Sequence, residues 1–180
     1  APVALASTLY SLSSPYRQLG RHEAALKALH ASLALRREHL SMHHIDTVDT
    51  LQRMSNVFLE ASNYRGARRC AWQVLVVRHA GFGPYHGGVA TALACLATVF
   101  RVGKRFVRAR TYYELAIECY TDLIGLAWNS KIVQGLQQQL DEVKREAIVS
   151  TAAQLHSSSG GKYWLSPSKS EPLVQPPWQY

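Results

Sequence analysis

The chain repeats itself every 42 residues, and that period constrains the fold more than any other feature. Aligned on Tyr16, Phe58 and Phe100, three units agree at five further positions, and two of the three agree at another. Leu9, Leu51 and Leu93 lie seven residues before the aromatics; Leu12, Met54 and Leu96 lie four before. Three before, the residue is small: Ser13, Ser55 and Ala97. Six after stand His22, Tyr64 and Phe106, nine after Ala25, Ala67 and Ala109, and seventeen after Leu33, Leu75 and Ile117.

The spacing has a mechanical meaning. Positions seven and four before the aromatic, with the aromatic itself, form one face of a helix. The alanine opens a second helix that runs on to the aliphatic position. Between the two lies a short polar turn: Gln18-Leu19-Gly20-Arg21, Ala61-Ser62-Asn63 and Gly103-Lys104-Arg105. Glycine commonly ends a helix in a left-handed turn. The small residues let the two backbones approach closely. Each unit is therefore a helix hairpin that cannot bury its apolar face alone, and stacking completes the core. The expected fold is all-α: a solenoid of three hairpins over residues 1–126 (about 1–44, 45–86 and 87–126). Pro15 falls inside the first predicted helix, where it is expected to kink it.

These residues resemble the tetratricopeptide repeat, and among its forms the 42-residue variety of kinesin light chains. Gly83-Pro84-Tyr85-His86-Gly87 stands where that family often reads Gly-Pro-Asp-His-Pro, and Val89-Ala90 resembles its next-helix entry. Tyr16-Arg17-Gln18-Leu19-Gly20-Arg21 and Leu33-Ala34-Leu35-Arg36 are similar to the family's turn and second helix. The resemblance covers about residues 3–126 and implies a platform for protein partners, without catalysis. Kinesin light chains clamp a peptide with paired polar residues, largely Asn, on each first helix. The matching positions are Tyr10 and Ser11, Gln52 and Arg53, and Ala94 and Cys95, so the third unit has lost polarity there. The resemblance implies a partner groove lined by Tyr10, Arg17, Gln52, Arg53, Asn56, Thr91 and Arg101.

Residues 127–156 read as a capping helix with an apolar stripe of Leu136, Leu140, Val143, Ala147 and Ile148. Asn129-Ser130 could cap its start. The 42-residue anchors fail there, since Glu142 stands where the aromatic should be. Residues 157–180 read as an extended tail. Ser157-Ser158-Ser159-Gly160-Gly161 has linker composition, and Tyr163, Trp164, Trp178 and Tyr180 alternate with prolines. Aromatic anchors spaced by proline suit docking on a neighbouring subunit.

The net charge is +8, but residues 1–110 hold fifteen basic and five acidic side chains, net +10. Much of that charge sits at the repeated turns: Arg21; Arg65, Arg68 and Arg69; Lys104, Arg105, Arg108 and Arg110. Matching turns of a solenoid fall on one edge, so these residues are expected to form a basic ridge. They crowd helix starts, where the helix dipole disfavours positive charge. An acidic protein surface is the expected partner, with phosphates of RNA as the alternative. Single-strand RNA reading needs exposed stacking aromatics, and most aromatics here are assigned to the core.

No catalytic constellation, cofactor motif or metal site emerges. His39 and His43 have the i, i+4 spacing that can bind metal, but no carboxylate or Cys sits at ligand spacing, and His44 fills the slot of His86 one repeat earlier. Cys70, Cys95 and Cys119 are an odd number without metal spacing, as expected of small buried hydrophobes in a reducing, intracellular compartment. No apolar stretch is long enough to span a membrane. The chain begins at Ala1, without a signal-peptide pattern. Its Arg-rich, acid-poor composition is read as mitochondrial, with the cytoplasm as the alternative. The expected role is a non-enzymatic scaffold, an accessory subunit of a larger complex. A stand-alone peptide-binding adaptor and an RNA-contacting component are the alternatives.

Overall fold

A computed structural model describes residues 2–84, 86–123 and 130–158. Seven α-helices follow in order: α1 (Pro2–Gln18), α2 (His22–His39), α3 (Ile45–Glu60), α4 (Tyr64–Phe82), α5 (Gly87–Val102), α6 (Phe106–Glu118) and α7 (Lys131–Ser158). A π-helical turn, Cys119–Leu123, follows α6. No strand occurs among the described residues. Helices α1 and α2, α3 and α4, and α5 and α6 pair as hairpins; α2 packs on α3, α4 on α5 and α6 on α7. The result is an all-α solenoid of three stacked hairpins with a further helix against the third. No helix among the described residues is long and apolar enough to cross a membrane.

The hairpins close on their small residues. Ala25, Ala67 and Ala109 are each 0% exposed, so no side chain larger than a methyl fits there without parting the helices. On the facing helices Ser13, Ser55 and Ala97 are equally buried. Ser55 donates its hydroxyl to the Ala67 carbonyl at 3.0 Å, across the hairpin, which removes the cost of burying it. In the second hairpin the approach is closest at Gly66. A Cβ there would lie 2.8 Å from the Phe58 ring.

Each hairpin turn is built in the same way. Gly20, Ser62 and Lys104 are 42 residues apart and all left-handed, with φ of 70°, 56° and 57°. The N–H of the next residue reaches back to the carbonyl of the anchoring aromatic: Arg21 to Tyr16 at 2.9 Å, Asn63 to Phe58 at 2.8 Å, Arg105 to Phe100 at 2.8 Å. The left-handed residue itself donates to Arg17, Leu59 and Arg101 at 3.0, 2.9 and 2.9 Å. This pair of bonds is the Schellman arrangement. Gly103 does not supply the left-handed residue that the sequence suggested. It sits at φ −75°, and Lys104 takes the strained position.

The joints between hairpins also repeat. His44 and His86 cap α3 and α5, accepting from Asp46 N–H at 3.2 Å and Gly88 N–H at 3.0 Å. Capping is therefore the role of His44. Arg36 and Arg78, 42 residues apart, reach from the ends of α2 and α4 to the first turn of the next helix. Arg36 donates to the Asp46 carbonyl at 2.6 Å and to Thr50 Oγ1 at 2.7 Å; Arg78 donates to the Gly88 carbonyl at 3.0 Å.

Three expectations need correction. Helix α1 runs through Pro15 without a break as far as Gln18. The proline removes only the bond to the Ser11 carbonyl, near the end of the helix, and Ser11 is exposed to water. Leu12 is 43% exposed, whereas Met54 and Leu96 at the same position are 2% and 0% exposed, because no hairpin covers the outer side of α1. Helix α7 begins at Lys131 and includes Ser157 and Ser158, which were read as linker. Its buried stripe is Val133, Leu136, Leu140 and Val143; Ile148 is 69% exposed. Leu136 and Val143 follow Leu93 and Phe100 by 43 residues, so the anchors continue one residue out of phase. Ser130 Oγ accepts from Val133 N–H at 3.4 Å, a long bond at the helix start.

Left-handed backbone costs a non-glycine residue about 1–2 kcal/mol. Ser62→Gly and Lys104→Gly are each expected to stabilise the chain by about 0.5–1 kcal/mol after the entropy cost of glycine. Urea denaturation of the single variants checks this, and Gly20→Ala should shift the midpoint the other way.

Candidate functional site

A groove of about 420 Å³ lies between α1 and α3. Tyr10, Ser14 and Arg17 line it from α1; Asp49, Gln52, Arg53 and Asn56 line it from α3. Both sets follow helical spacing, i, i+4, i+7 on one helix and i, i+3, i+4, i+7 on the other, so each is one helix face. The stacking that buries the opposite stripe leaves this face to solvent.

The groove is polar and held in shape by charge. The guanidinium groups of Arg53 and Arg36 lie 4.1 and 4.7 Å from the centre of the Tyr10 ring. Arg36 is 4% exposed and fixed by its bonds to α3, so the Tyr10 ring rests on a rigid cation. Arg17 pairs with Glu60 at 3.0 Å, tying the ends of α1 and α3 together. Both side chains are near 40% exposed, so this pair contributes little energy and mainly sets orientation. Gln52 Oε1 is buried without a hydrogen-bond partner among the described residues.

Five of the seven residues expected at the groove, Tyr10, Arg17, Gln52, Arg53 and Asn56, come together in it. Thr91 and Arg101 do not. The Thr91 hydroxyl is hydrogen-bonded to Tyr120 Oη at 2.8 Å. Arg101 is drawn to α7, bonded to Glu142 and 3.7 Å from Glu146. Thr98 similarly meets Tyr113 Oη at 2.9 Å. The polar side chains of the third unit are thus engaged by its own second helix, the π-helical turn and α7. Sequence reasoning missed Ser14 and Asp49. They stand 42 residues before Asn56 and Thr91, both of which were named, so the repeat itself carried the signal.

Of the basic residues at the turns, Arg21, Arg65, Arg68, Arg69, Lys104, Arg105 and Arg110 are exposed, and Arg108 is half-buried. Arg110 pairs with Glu114 at 2.8 Å, and Arg108 lies 5.7 Å from the centre of the Phe100 ring. The tail residues Tyr163, Trp164, Trp178 and Tyr180 lie outside the described residues.

With this geometry in hand, the comparisons are direct. Residues 5–46 match the tetratricopeptide repeat family model. The fold is the tetratricopeptide-repeat fold. Similar solved structures include BtubC (BKLC) from P. vanneervenii, at 17% identity with a TM-score of 0.68, covering 97% of this chain and 71% of that one. A putative kinesin light chain of Podosopora anserina with nearly identical TPR-like repeats aligns at 14% identity and TM-score 0.67, covering 93% of this chain and 81% of that one. No curated protein matches the chain at a significant level. Tetratricopeptide repeats generally serve as non-enzymatic platforms for protein–protein interaction.

The cysteines are buried or half-buried. Burial pushes the Cys70 thiol up to about 11, against the opposing pull of Arg69 and Arg37. Burial also raises Cys95 and Cys119. A raised folded-state value for an acid means that the folded chain holds the proton longer. Stability is therefore full below the ordinary thiol value of 9.0 and falls as pH rises from there towards about 11. The native chain should react slowly with a disulfide reagent at pH 8 and release its thiols on addition of denaturant. Cys70→Ala should flatten the loss of thermal stability above pH 9 without abolishing it.

Proposed function

We propose that the chain is a protein-binding scaffold that holds an extended segment of a partner protein in the groove between α1 and α3. The observation that carries this reading is the convergence of polar and charged side chains from two consecutive first helices on one open channel. An extended segment presents backbone N–H and C=O groups at regular intervals. Gln52 Oε1 needs a donor, while Arg53 and Asn56 offer donors to carbonyls. The face of the Tyr10 ring is already stacked by arginine, which leaves its edge and hydroxyl for contact.

The reading is tested with a peptide array and then titration of hits against the full chain. Hits are expected to bind one to one. The double variant Arg53→Ala/Asn56→Ala should weaken them by at least about tenfold, the worth of one or two hydrogen bonds involving charge. Absence of any peptide above background, or unchanged affinity in the double variant, would refute the groove as the binding site.

A second reading concerns assembly. The exposed basic residues of the three turns suit an acidic protein neighbour, with the segment 157–180 reaching onto that neighbour as an accessory subunit's tail would. A protein neighbour is favoured over RNA because Tyr16, Phe58 and Phe100 are packed into or against the core and do not offer a stacking platform. Binding through the ridge should weaken steeply with salt, and reversing Arg65, Arg68 and Arg69 to Glu should remove that dependence.

A further inference from the structure

The outer face of α1 repeats, residue for residue, the surface that α3 and α5 bury. Leu5 is 54% exposed, while Thr47 and Val89 at the same position are 0% and 1% exposed. Leu12 is 43% exposed against 2% and 0% for Met54 and Leu96. In the second and third units these positions are sealed by α2 and α4, the second helices of the preceding hairpins. The first unit shows the same surface with no helix on it among the described residues.

A second observation says what fits there. On α3, Thr50 Oγ1 donates to the Asp46 carbonyl at 2.8 Å, and the pair receives the guanidinium of Arg36 from α2. On α1, Thr8 Oγ1 donates to the Ala4 carbonyl at 3.0 Å, 42 residues earlier. The acceptor pair is thus built in the same register, but Thr8 is exposed, whereas Thr50 is 0% exposed. The hydroxyl and the carbonyl each keep a lone pair for a guanidinium donor. Leu5 and Leu12 supply apolar contact on the same face, at the i and i+7 positions beside Leu9.

We propose that the outer face of α1 is a docking site for one further helix of the α2 kind, brought by an additional repeat hairpin that stacks before the first. The partner helix is amphipathic and carries an aliphatic residue followed three places later by arginine, as Leu33 and Arg36 do in α2 and Leu75 and Arg78 do in α4. The arginine occupies Thr8 Oγ1 and the Ala4 carbonyl, and the aliphatic face covers Leu5 and Leu12. This surface is separate from the groove, so the inference does not depend on the function proposed above.

The test uses the full chain and a helix-stapled peptide of residues 21–40, which copies α2 with Arg36 in place. Its own site on α3 is already filled intramolecularly, so the peptide can find only the outer face of α1. One-to-one binding is expected. Leu12→Glu in the chain, or Arg36→Ala in the peptide, should each weaken it by at least about tenfold, the loss expected for one hydrogen bond to a charged group. Leu12 is already solvent-exposed, so the circular dichroism of the Leu12→Glu chain should match the parent; Thr8→Ala provides a gentler variant that should also weaken binding. Absence of binding, or binding indifferent to all three changes, overturns the proposal. Two other occupants would also overturn it. If the chain self-associates and Leu12→Glu makes it monomeric, a second copy holds the face. If the peptide binds only after residues 159–180 are deleted, the chain's own C-terminal segment holds it.

Discussion

The close approach of two helices at an alanine is the contact on which everything else in this chain rests. Ala25, Ala67 and Ala109 have no exposed surface, and the small residues opposite them are buried as well. A methyl group there sets the interhelical distance. That distance in turn places the anchoring aromatic three residues before the end of the first helix, where its carbonyl receives the turn's closing hydrogen bond. Side-chain size thus fixes the hairpin angle, and the hairpin angle fixes where the next hairpin sits. A solenoid adds such angles in sequence, so its concave face is the sum of three local packing decisions.

Most of this was legible because it depends on volume and spacing. A 42-residue period with constant small and large positions can be satisfied by stacked hairpins and by little else. What depended on backbone strain was not legible. Ser62 and Lys104 adopt the left-handed turn although neither is glycine, because the Schellman bonds and the packed helices on either side over-determine the geometry. The visible glycine, Gly103, misdirected the reading by one residue. Nor was the strap from Arg36 and Arg78 recognised, though its spacing repeats, since an arginine at a helix end usually reads as solvated surface.

The groove was legible for the same reason as the hairpins, and failed for a different one. Tyr10, Arg17, Gln52, Arg53 and Asn56 could be named because helix periodicity puts them opposite the buried stripe. Thr91 and Arg101 have equivalent positions but other partners. Their fate is decided by Tyr120 and by Glu142, residues that lie 29 and 41 places away in the chain. Periodicity assigns a residue to a face. It says nothing about which neighbour reaches that face first.

The third unit therefore shows how one backbone can serve two purposes. In the first two units the inner positions carry Tyr10, Gln52, Arg53 and Asn56 and stay open. In the third, Ala94 and Cys95 replace the paired polar residues, and the remaining hydroxyls are bonded to tyrosines. Arg101 instead fastens α7, whose anchors run one residue out of phase with the repeat. That shift carries Glu142 out of the aromatic's place and into reach of Arg101. Had the 42-residue phase continued, an acidic side chain would have faced the core at that point, where burial of an unpaired charge is prohibitive. The added residue turns the same acid outward, where it latches the final helix and closes the polar channel at that end.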